Sequence, residues 1–344
     1  MSRHVPEPAV WFPTICAGTG ADVFTVRLCE ALNSGGVRAE IAWLPHRAEY
    51  LPWSVDRPEP PSWANIVHAN TWLHERFLPS RLPAVLTMHL CVHDPALTPY
   101  KSYAQALYHR LWIKRLEGTS LRRASRIIAV SQYTRDSTSR AFHIPGIDAI
   151  PNGVAIPDDL GGRPERGLDD PFRLLYVGNW SARKGVDLLG PIMEGLGRGF
   201  ELQYTADTHG GHRGARLPPN CRCIGRLGQS ALANAYREAD ALLFCSRLEG
   251  LPLTVIEAMA NGLPVIAAAA ASMPEVIEDG VSGFLCRPDD VQSFIDAARR
   301  MAADAPMLAS MRVAARRRIQ GHYDLPTMVE SYLAVYRTVL DTWR

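Results

Sequence analysis

The sequence predicts an α/β protein of two domains, each built on a parallel sheet. Its 344 residues exceed what a single hydrophobic core usually serves. Strand-like apolar runs alternate with helical patterns from Ala9 onward, and the alternation starts again at Phe172. Residues 158–171 between the two series are rich in Gly, Pro and charge and show no periodicity, which is typical of a linker. We therefore predict a first domain over residues 1–157 and a second over residues 172–324.

The composition is that of an ordinary globular protein. Hydrophobic residues make up 47% of the chain and charged residues 21%, which excludes a disordered chain. A formal net charge of +2 gives no electrostatic reason to expect nucleic acid as a partner. The sequence does not indicate an oligomeric state.

Neither a signal peptide nor a membrane span is predicted. The N-terminal stretch MSRHVPEPAVWF lacks a continuous apolar region, and no apolar run is long enough for a transmembrane helix. The seven cysteines form no pair of C-x-x-C units, so we expect reduced thiols. Reduced thiols are typical of the cytosol, and we predict a cytoplasmic protein.

The first strand, Ala9 to Thr14, runs into a glycine turn and a helix. Gly18 and Gly20 in this turn would let backbone amides approach a phosphate or a sugar oxygen at the helix N-terminus. A plain tight turn explains the two glycines equally well. A second strand follows at Ala39 to Trp43, and the Pro-rich stretch between Leu44 and Ser62 predicts a long loop.

Polar residues follow the next two strands of the first half. The strand Ala64 to Ala69 leads into HANTW, which contains Asn70, and the strand Ala84 to His89 leads into LCVHD. The carboxyl ends of parallel strands share one edge of a sheet, where ligands bind. We therefore expect His89 to face a ligand, with a satisfied core histidine as the alternative.

Residues 100–126 are basic and aromatic. They contain seven Lys or Arg residues, which alternate with Tyr100, Tyr103, Tyr108 and Trp112. We favour amphipathic helices whose aromatic residues face the core and whose cations are solvated. The alternative is a surface for an anionic membrane or a phosphate-bearing acceptor, which would place the protein peripherally at the inner membrane face.

The second half repeats the α/β alternation. After the strand at Phe172 come a glycine turn, the basic pair Arg183 and Lys184, and a helix. Further predicted elements are strands at Phe200–Thr205, Ala241–Cys245 and residues 263–268, and helices at Gln229–Ala239, Val291–Ile319 and Leu325–Arg344. The stretch MPEVIEDGVSGFLCRP predicts a helix, a hairpin-like turn and a short strand.

Two carboxylates mark the stretch from Ser246 to Asn261. Glu249 precedes Gly250 and a proline, and Glu257 lies on the apolar helical run that follows. A buried strand that leads into such a turn and helix is a position where α/β sheets bind ligands. The alternative is that Glu249 caps the first helical turn and Glu257 is a solvated helix residue.

An ordered set of segments resembles one known family. The second half contains VGNWSARKG, EGLPLTVIEAMANGLPVIA and PEVIEDGVSGFL, and the first half contains GTGADVF, VLTMH, IIAVSQYT and IPNGV. These segments resemble, in the same order, motifs of the group 1 (family 4) retaining glycosyltransferases of GT-B fold, including their E-x7-E box. The resemblance covers most of the chain.

This resemblance implies a fold and an activity. It implies two Rossmann-like domains that face each other across a cleft, with a C-terminal helix, residues 325–344, that packs back on the N-terminal domain. A hexosyl- or related glycosyltransferase (EC 2.4) is implied, which would act in polysaccharide or glycoconjugate biosynthesis. The second domain would bind a nucleotide-sugar, with UDP expected before GDP, and the first a glycan, lipid-linked or small-molecule acceptor.

Site residues follow from the resemblance position by position. Glu249 would contact the transferred sugar, Glu257 the ribose, Lys184 the diphosphate, and His89 the sugar near its anomeric carbon. His89, Glu249 and Lys184 form the implied catalytic set. The other implied donor-binding residues are Arg183, Gly250, Leu251, Pro252, Leu253, Asn179 and Gly225, and those of the acceptor and phosphate loop are Gly18, Gly20 and Asn70.

Retention in this family implies a front-face mechanism without a protein nucleophile. We see no D-x-D site, because the aspartate pairs at 158/159, 169/170 and 289/290 lie in predicted loops. Lys184 would stabilise the leaving diphosphate, so we expect neither a metal nor another cofactor.

Two positions depart from the family pattern. Asn179 stands where an arginine is usual, and the neighbouring Arg183 is the candidate to replace that charge. Ala271 and Ser272 replace a glycine pair. Asn179 suggests one alternative to a transferase, a sugar-nucleotide-binding protein that has lost turnover. A UDP-sugar epimerase of GT-B fold is a second alternative, which the fold alone allows.

Overall fold

Two parallel sheets organise the computed structural model, which describes residues 6–159, 167, 170–206 and 217–343. The chain divides into a first unit, Met1–Gly153 with Leu325–Arg344, and a second unit, Val154–Asp324. The first stretch of the first unit ends at Gly153, whereas the sequence predicted the domain boundary at residue 157. Val154 already belongs to the second unit, where it forms a parallel bridge with Asp324. Of the predicted linker, residues 160–166 and 168–169 lie outside the described residues.

Each sheet has six parallel strands. The first sheet has the order β2-β1-β3-β4-β5-β6, and the second has the order β12-β11-β10-β7-β8-β9. The strands are β1 (Val10–Ile15), β2 (Ala39–Leu44), β3 (Ile66–Asn70), β4 (Ala84–Met88), β5 (Arg126–Ala129), β6 (Ile147–Ala149), β7 (Phe172–Tyr176), β8 (Phe200–Tyr204), β9 (Cys221–Cys223), β10 (Ala241–Phe244), β11 (Val265–Ala268) and β12 (Gly283–Cys286).

Helices connect the strands in both units. They are α1 (Gly20–Ser34), α2 (Tyr103–Tyr108), α3 (Lys114–Arg123), α4 (Gln132–Phe142), α5 (Val186–Leu196), α6 (Gln229–Glu238), α7 (Leu253–Ala260), α8 (Met273–Val276), α9 (Val291–Ala303), α10 (Ala305–Ile319) and α11 (Leu325–Thr342). A π-helical turn, His109–Ile113, joins α2 to α3. The alternation of strands and helices confirms the predicted α/β class.

The C-terminal helix α11 belongs to the first unit, as predicted. Its buried residues are Met328, Tyr332, Tyr336 and Val339, which pack in one cluster with residues of α1 and the first sheet. The buried His68 links α11 to the sheet by hydrogen bonds. Its two ring nitrogens lie 2.6 Å from the hydroxyl of Tyr336 in α11 and 2.8 Å from Oγ1 of Thr87 in β4.

Several element predictions were wrong. The predicted helix Val291–Ile319 is two helices, because Asp304 ends the first and its Oδ1 accepts the amide of Met307 at 2.8 Å to cap the second. The apolar spacing continues across Asp304, so periodicity alone does not reveal the break between the two helices. Strands β6 and β9 were missed because each has three residues, and the loop 44–62 contains the short 3₁₀ helices His46–Ala48 and Pro52–Ser54.

Helices form over residues 103–123, as predicted, but their aromatic residues do not all face the core. Helix α2 has no buried residue, and Tyr103 is 86% exposed. The core of this segment is instead formed by Ile113, Leu116 and Leu121. The interpretation that the aromatic side chains point inward was therefore wrong for α2.

We expect His68 to make the first unit unstable in acid. Burial, and secondly the nearby His89, lowers the pKa of His68 to about 3 from its ordinary 6.5. Below pH 6.5 the unfolded chain therefore binds a proton that the folded unit excludes, and the free energy of unfolding falls as the pH drops toward 3. By pH 4.5 the loss is on the order of 3 kcal/mol.

Urea unfolding at pH 7 and pH 4.5 measures this loss. In His68→Asn the free energy of unfolding should change less between pH 7 and pH 4.5, by about the 3 kcal/mol assigned to His68, since the titrating ring is gone. His143→Asn is the control, because His143 is exposed and its φ of 55° is a conformation that asparagine tolerates. The same pH dependence in all three proteins would contradict the assignment to His68.

Candidate functional site

Glu249 is the centre of a charged cluster in the second unit. It follows β10, is 8% exposed, and its Oε1 accepts three hydrogen bonds. The donors are Arg183 Nη1 at 2.7 Å, Lys184 Nζ at 2.7 Å and Ser246 Oγ at 2.5 Å. The structure thus brings together three of the predicted site residues, Glu249, Arg183 and Lys184, at the carboxyl edge of the sheet.

Backbone contacts fix the loop that carries the two cations. The residues Ala182–Lys184 form a 3₁₀ turn that ends at Gly185, whose φ is +68°. A Cβ at Gly185 would lie 2.2 Å from the carbonyl oxygen of Cys245, so only glycine fits this approach. The Arg247 amide donates to the Arg183 carbonyl at 2.9 Å, which joins the loop after β7 to the loop after β10.

A second ion-pair network supports these loops from the outside. The Arg247 guanidinium forms two bonds of 2.7 Å to the Asp187 carboxylate and one of 2.6 Å to Asp289. These contacts hold the pKa of Asp187 below its usual range, the hydrogen bonds from Arg247 outweighing burial. A bidentate pair of this kind fixes the orientation of both side chains.

The electrostatics of the cluster favour an ionised Glu249. Burial alone would raise the pKa of Glu249, but Lys184 and Arg183 outweigh it, so the pKa lies below its usual value. Two cations face one carboxylate, which leaves a net positive charge at the cluster. Oε2 of Glu249 makes no hydrogen bond to any residue that the structure describes. Oε2 can therefore accept a hydrogen bond from a ligand hydroxyl, and the two cations can bind an anion.

Glu257 lies on α7, separate from the Glu249 cluster. Its Oε2 accepts a hydrogen bond from the Tyr236 hydroxyl at 3.2 Å. Helix α7 begins at Leu253 after Pro252 and has no side-chain cap. The alternative that Glu249 caps this helix is therefore wrong. Gly250, Leu251 and Pro252 form the buried turn between the two carboxylates.

Asn179 lies in the loop after β7. Its side chain is exposed, and its carbonyl accepts the Tyr176 hydroxyl at 3.1 Å. Gly225 follows β9 with a φ of +71°, and a Cβ there would meet no atom within 4 Å. The structure does not bring either residue into hydrogen-bond contact with Glu249.

Ala271 and Ser272 lie against the Glu249 loop. Ala271 has a φ of +52°, in the left-handed region that glycine prefers, so alanine keeps the backbone shape at some cost in strain. Ser272 is buried, and its hydroxyl donates to the Glu249 carbonyl at 3.4 Å. The departure from glycine therefore leaves the left-handed turn in place.

In the first unit, His89 and Asn70 meet at the edge of the sheet. His89 follows β4, Asn70 is the last residue of the adjacent strand β3, and His89 Nε2 donates to Asn70 Oδ1 at 2.9 Å. The ring of Phe24 lies edge-on at 4.7 Å. Burial lowers the pKa of His89 to about 4, so the ring is neutral at pH 7 and its Nδ1 is a hydrogen-bond acceptor.

The glycine loop after β1 does not offer a free Gly18 amide. Gly18 has a φ of +67°, and its amide donates to Asp22 Oδ2 at 2.7 Å, as does that of Ala17 at 2.9 Å. Asp22, in the first turn of α1, thus takes the place that a phosphate oxygen would need. For Gly18 the structure favours the tight-turn alternative, while Gly20 is the first residue of α1.

Three residues that contact predicted site residues were missed from the sequence: Ser246, Asp22 and Ser272. Ser246 had a weak signal, because a serine three residues before a glutamate has the spacing of a helix capping box, although Glu249 caps no helix here. Asp22 had one as well, as an acidic residue in a first helical turn. The contact of Ser272 with the Glu249 carbonyl depends on the turn at Ala271 and had no local signal.

The described residues form neither a metal-binding cluster nor a membrane-spanning helix. Within the described ranges, no three or more His, Cys, Asp and Glu side chains converge as a group that could hold a metal ion. Over those same residues, every helix is too short or too polar to cross a bilayer. All seven cysteines are free.

Two family models match the chain. Residues 61–156 match Glycosyltransferase Family 4, and residues 213–318 match Glycosyl transferases group 1. The glycogen synthase of Mycobacterium tuberculosis is 28% identical over 302 residues, which are 80% of this chain and 69% of that protein.

Solved structures share the fold. Sucrose-phosphate synthase from Thermosynechococcus elongatus superposes with a TM-score of 0.77 at 17% identity, over 98% of this chain and 100% of that one. HepE from Anabaena, solved in complex with UDP and glucose, gives a TM-score of 0.70 at 16% identity, over 97% and 100%. The chain is therefore a glycosyltransferase (EC 2.4) that belongs to the group 1 family of GT-B fold.

Proposed function

We propose that this glycosyltransferase moves a hexose from UDP-hexose to an acceptor hydroxyl with retention of the anomeric configuration. The observation that carries the proposal is the Glu249 cluster, in which one carboxylate oxygen is held by two cations and a serine. A nucleotide-sugar presents a diphosphate next to a ring of hydroxyls. A cluster with cations and an ionised carboxylate side by side matches that pattern.

In the second unit we assign separate roles to the charged residues. Lys184 and Arg183 bind the diphosphate, and Glu249 accepts sugar hydroxyls through Oε2. Glu257 binds the ribose hydroxyls, with the Tyr236 hydroxyl holding its carboxylate. The amide of Leu253 at the start of α7 adds a donor for phosphate oxygen, whereas Pro252 has no amide hydrogen.

In the first unit we assign His89 and Asn70 to the reacting sugars. The bond from His89 to Asn70 fixes the imidazole ring, and its neutral state suits hydrogen bonding to a hydroxyl. Gly20, at the N-terminus of α1, would lie beside phosphate and acceptor. Gly18 has a smaller role than the sequence implied, since its amide is bound to Asp22.

The reaction follows a front-face course. The bond between the anomeric carbon and the β-phosphate oxygen breaks, and the acceptor oxygen bonds to the same face of the carbon. The acceptor proton passes to the departing phosphate oxygen, so neither glutamate serves as a nucleophile. Negative charge develops on the diphosphate, and Lys184 and Arg183 stabilise it in the transition state. We propose that transfer needs no metal.

Arg183 takes over the charge that Asn179 lacks. Its guanidinium reaches Glu249 at 2.7 Å, beside Lys184, and its side chain is 27% exposed, so it remains accessible to a ligand. Asn179 is exposed and would contact the donor as a neutral hydrogen-bonding residue. Two cations thus serve the diphosphate despite the substitution.

UDP is the proposed nucleotide because HepE, which shares the fold, was solved with UDP and glucose. GDP is the alternative. The acceptor is a hydroxyl on a glycan, a lipid-linked sugar or a small molecule.

Transfer is tested with UDP-glucose, UDP-N-acetylglucosamine, GDP-mannose and ADP-glucose in the presence of acceptor extracts. We expect release of UDP that depends on the acceptor and is unchanged by EDTA. Acceptor-independent conversion of the sugar would identify the epimerase alternative, and nucleotide binding without release would identify the inactive binding protein. Loss of turnover in EDTA would contradict the metal-independent mechanism.

A further inference from the structure

An apolar helix of the first unit buries none of its residues. Helix α2 has the sequence YAQALY, and it continues through the π-helical turn His109–Ile113 into α3. Tyr103, Leu107 and Leu111, four residues apart, are 86%, 46% and 62% exposed. A surface helix of a globular protein normally turns such a stripe into the core. Here the stripe faces solvent.

A neighbouring segment extends this exposed apolar area. Tyr50, Leu51 and Trp53 are exposed, and Trp53 is 67% exposed. The segment lies against the helix, because the Trp112 indole donates to the Glu49 carbonyl at 2.8 Å and the rings of Trp53 and Trp112 are 6.0 Å apart. Of the eleven exposed large hydrophobic residues in the described chain, six belong to this area.

A basic groove adjoins the apolar area. It has a volume of about 1020 Å³, and Trp53 and Leu111 both line it. Five arginines and two glutamates also line it; the arginines are Arg57, Arg76, Arg81, Arg115 and Arg123. The buried Nε of Arg76 has no hydrogen-bond partner among the residues that the structure describes. Because the five arginines outnumber the two glutamates, the groove lining is net positive, although the chain as a whole carries a net charge of only +2.

The acidic residue of the helical segment does not offset this charge. Glu117 is the only acidic residue among residues 101–126, which contain seven Lys or Arg residues. Glu117 is fully buried and bonded to His93 Nε2 and Thr71 Oγ1, both at 2.9 Å. It is therefore unavailable to pair with the surface cations.

We propose that this docking surface, defined as the six exposed apolar residues with the five groove arginines, binds the face of an anionic phospholipid bilayer. Aromatic and leucine side chains would enter the boundary between headgroups and acyl chains, and the arginines would hold the headgroup phosphates. A soluble polyanion needs the arginines but not the apolar stripe, and a neutral protein partner would leave the arginines unpaired. The combination fits a charged bilayer.

The docking surface begins close to the residues assigned to the reacting sugars. Trp72 follows β3 two residues after Asn70, and its ring lies 6.0 Å from that of His109 in the π-helical turn. Resting on the proposed function, this proximity indicates an acceptor whose hydroxyl is carried by a membrane lipid. Bilayer binding itself is independent of the donor and of turnover.

Vesicle co-sedimentation of the full chain tests the docking surface. We expect sedimentation with phosphatidylcholine vesicles that contain phosphatidylglycerol, weakening as salt is added, and little with phosphatidylcholine alone. Leu107→Gln/Leu111→Gln and Arg57→Gln/Arg115→Gln should each lower the partition coefficient about tenfold. The controls are Val313→Gln, a site 70% exposed in the second unit, and Arg198→Gln/Arg317→Gln, which removes the same charge from exposed positions.

Three results would overturn the proposal. They are absence of sedimentation with anionic vesicles at low ionic strength, equal loss in the control variants, and binding to soluble polyphosphate without binding to vesicles. Near-normal turnover of a soluble acceptor by the docking variants, together with lost sedimentation, would support it. Since sedimentation is measured without a donor, a failed transfer assay leaves this test intact.

Discussion

Glu249→Ala is expected to lower kcat/KM for the nucleotide-sugar by about 100-fold or more, a loss of roughly 3 kcal/mol of transition-state stabilisation. The variant loses the carboxylate oxygen proposed to hold the sugar. It also leaves Arg183 and Lys184 without the anion that orients both side chains. Steady-state kinetics with the donor identified by the transfer assay measure the effect.

The affinity for UDP separates this role from a general structural defect. Without Glu249, the two cations have no competing carboxylate, so UDP should bind as tightly as before or more tightly, whereas turnover falls. A collapsed loop would weaken both. Glu194→Ala removes an exposed glutamate of α5 in the same unit and should be neutral for both quantities. Near-normal turnover in Glu249→Ala would remove Glu249 from the site.

The sequence predicted the members of this cluster better than their contacts. Spacing and the family resemblance identified Glu249, Arg183 and Lys184, because residues after parallel strands share one edge of the sheet. That both cations bind the same carboxylate oxygen depends on the approach of two loops that are distant in sequence, since Arg183 and Glu249 are 66 residues apart. The ion pairs from Arg247 to Asp187 and Asp289 that hold these loops had no local pattern.

In the first unit, predictions from the sequence failed where one residue pattern is compatible with two different structures. Glycines before a helix are typical of a phosphate loop, yet an aspartate three residues into the helix also satisfies their amides, as Asp22 does for Gly18. Aromatic residues at helical spacing usually form core, but Tyr103 and Leu107 remain exposed. Apolar spacing identifies the apolar face of a helix, but it does not show whether that face packs against the core or is exposed to solvent.

Gly185→Ala is expected to destabilise the second unit by about 3 kcal/mol or more and to weaken UDP binding. The new Cβ would meet the Cys245 carbonyl oxygen at 2.2 Å and the Cys245 Cβ at 2.8 Å, and neither can move without shifting the end of β10. Displacement of Cys245 would move Ser246 and the Glu249 loop away from Lys184, because Lys184 is adjacent to Gly185 in the chain. Urea unfolding and UDP titration measure the two effects.

Gly280→Ala is the matched control for backbone strain. Gly280 has a φ of +75°, similar to the +68° of Gly185, but a Cβ there would meet nothing within 4 Å. It should therefore show only the cost of a left-handed alanine, about 1–2 kcal/mol, and unchanged UDP affinity. The excess loss in Gly185→Ala then measures how closely the two loops approach each other. Equal losses in both variants would contradict this, because they would mean that the close approach of Gly185 to Cys245 does not constrain the loops that carry the Glu249 cluster.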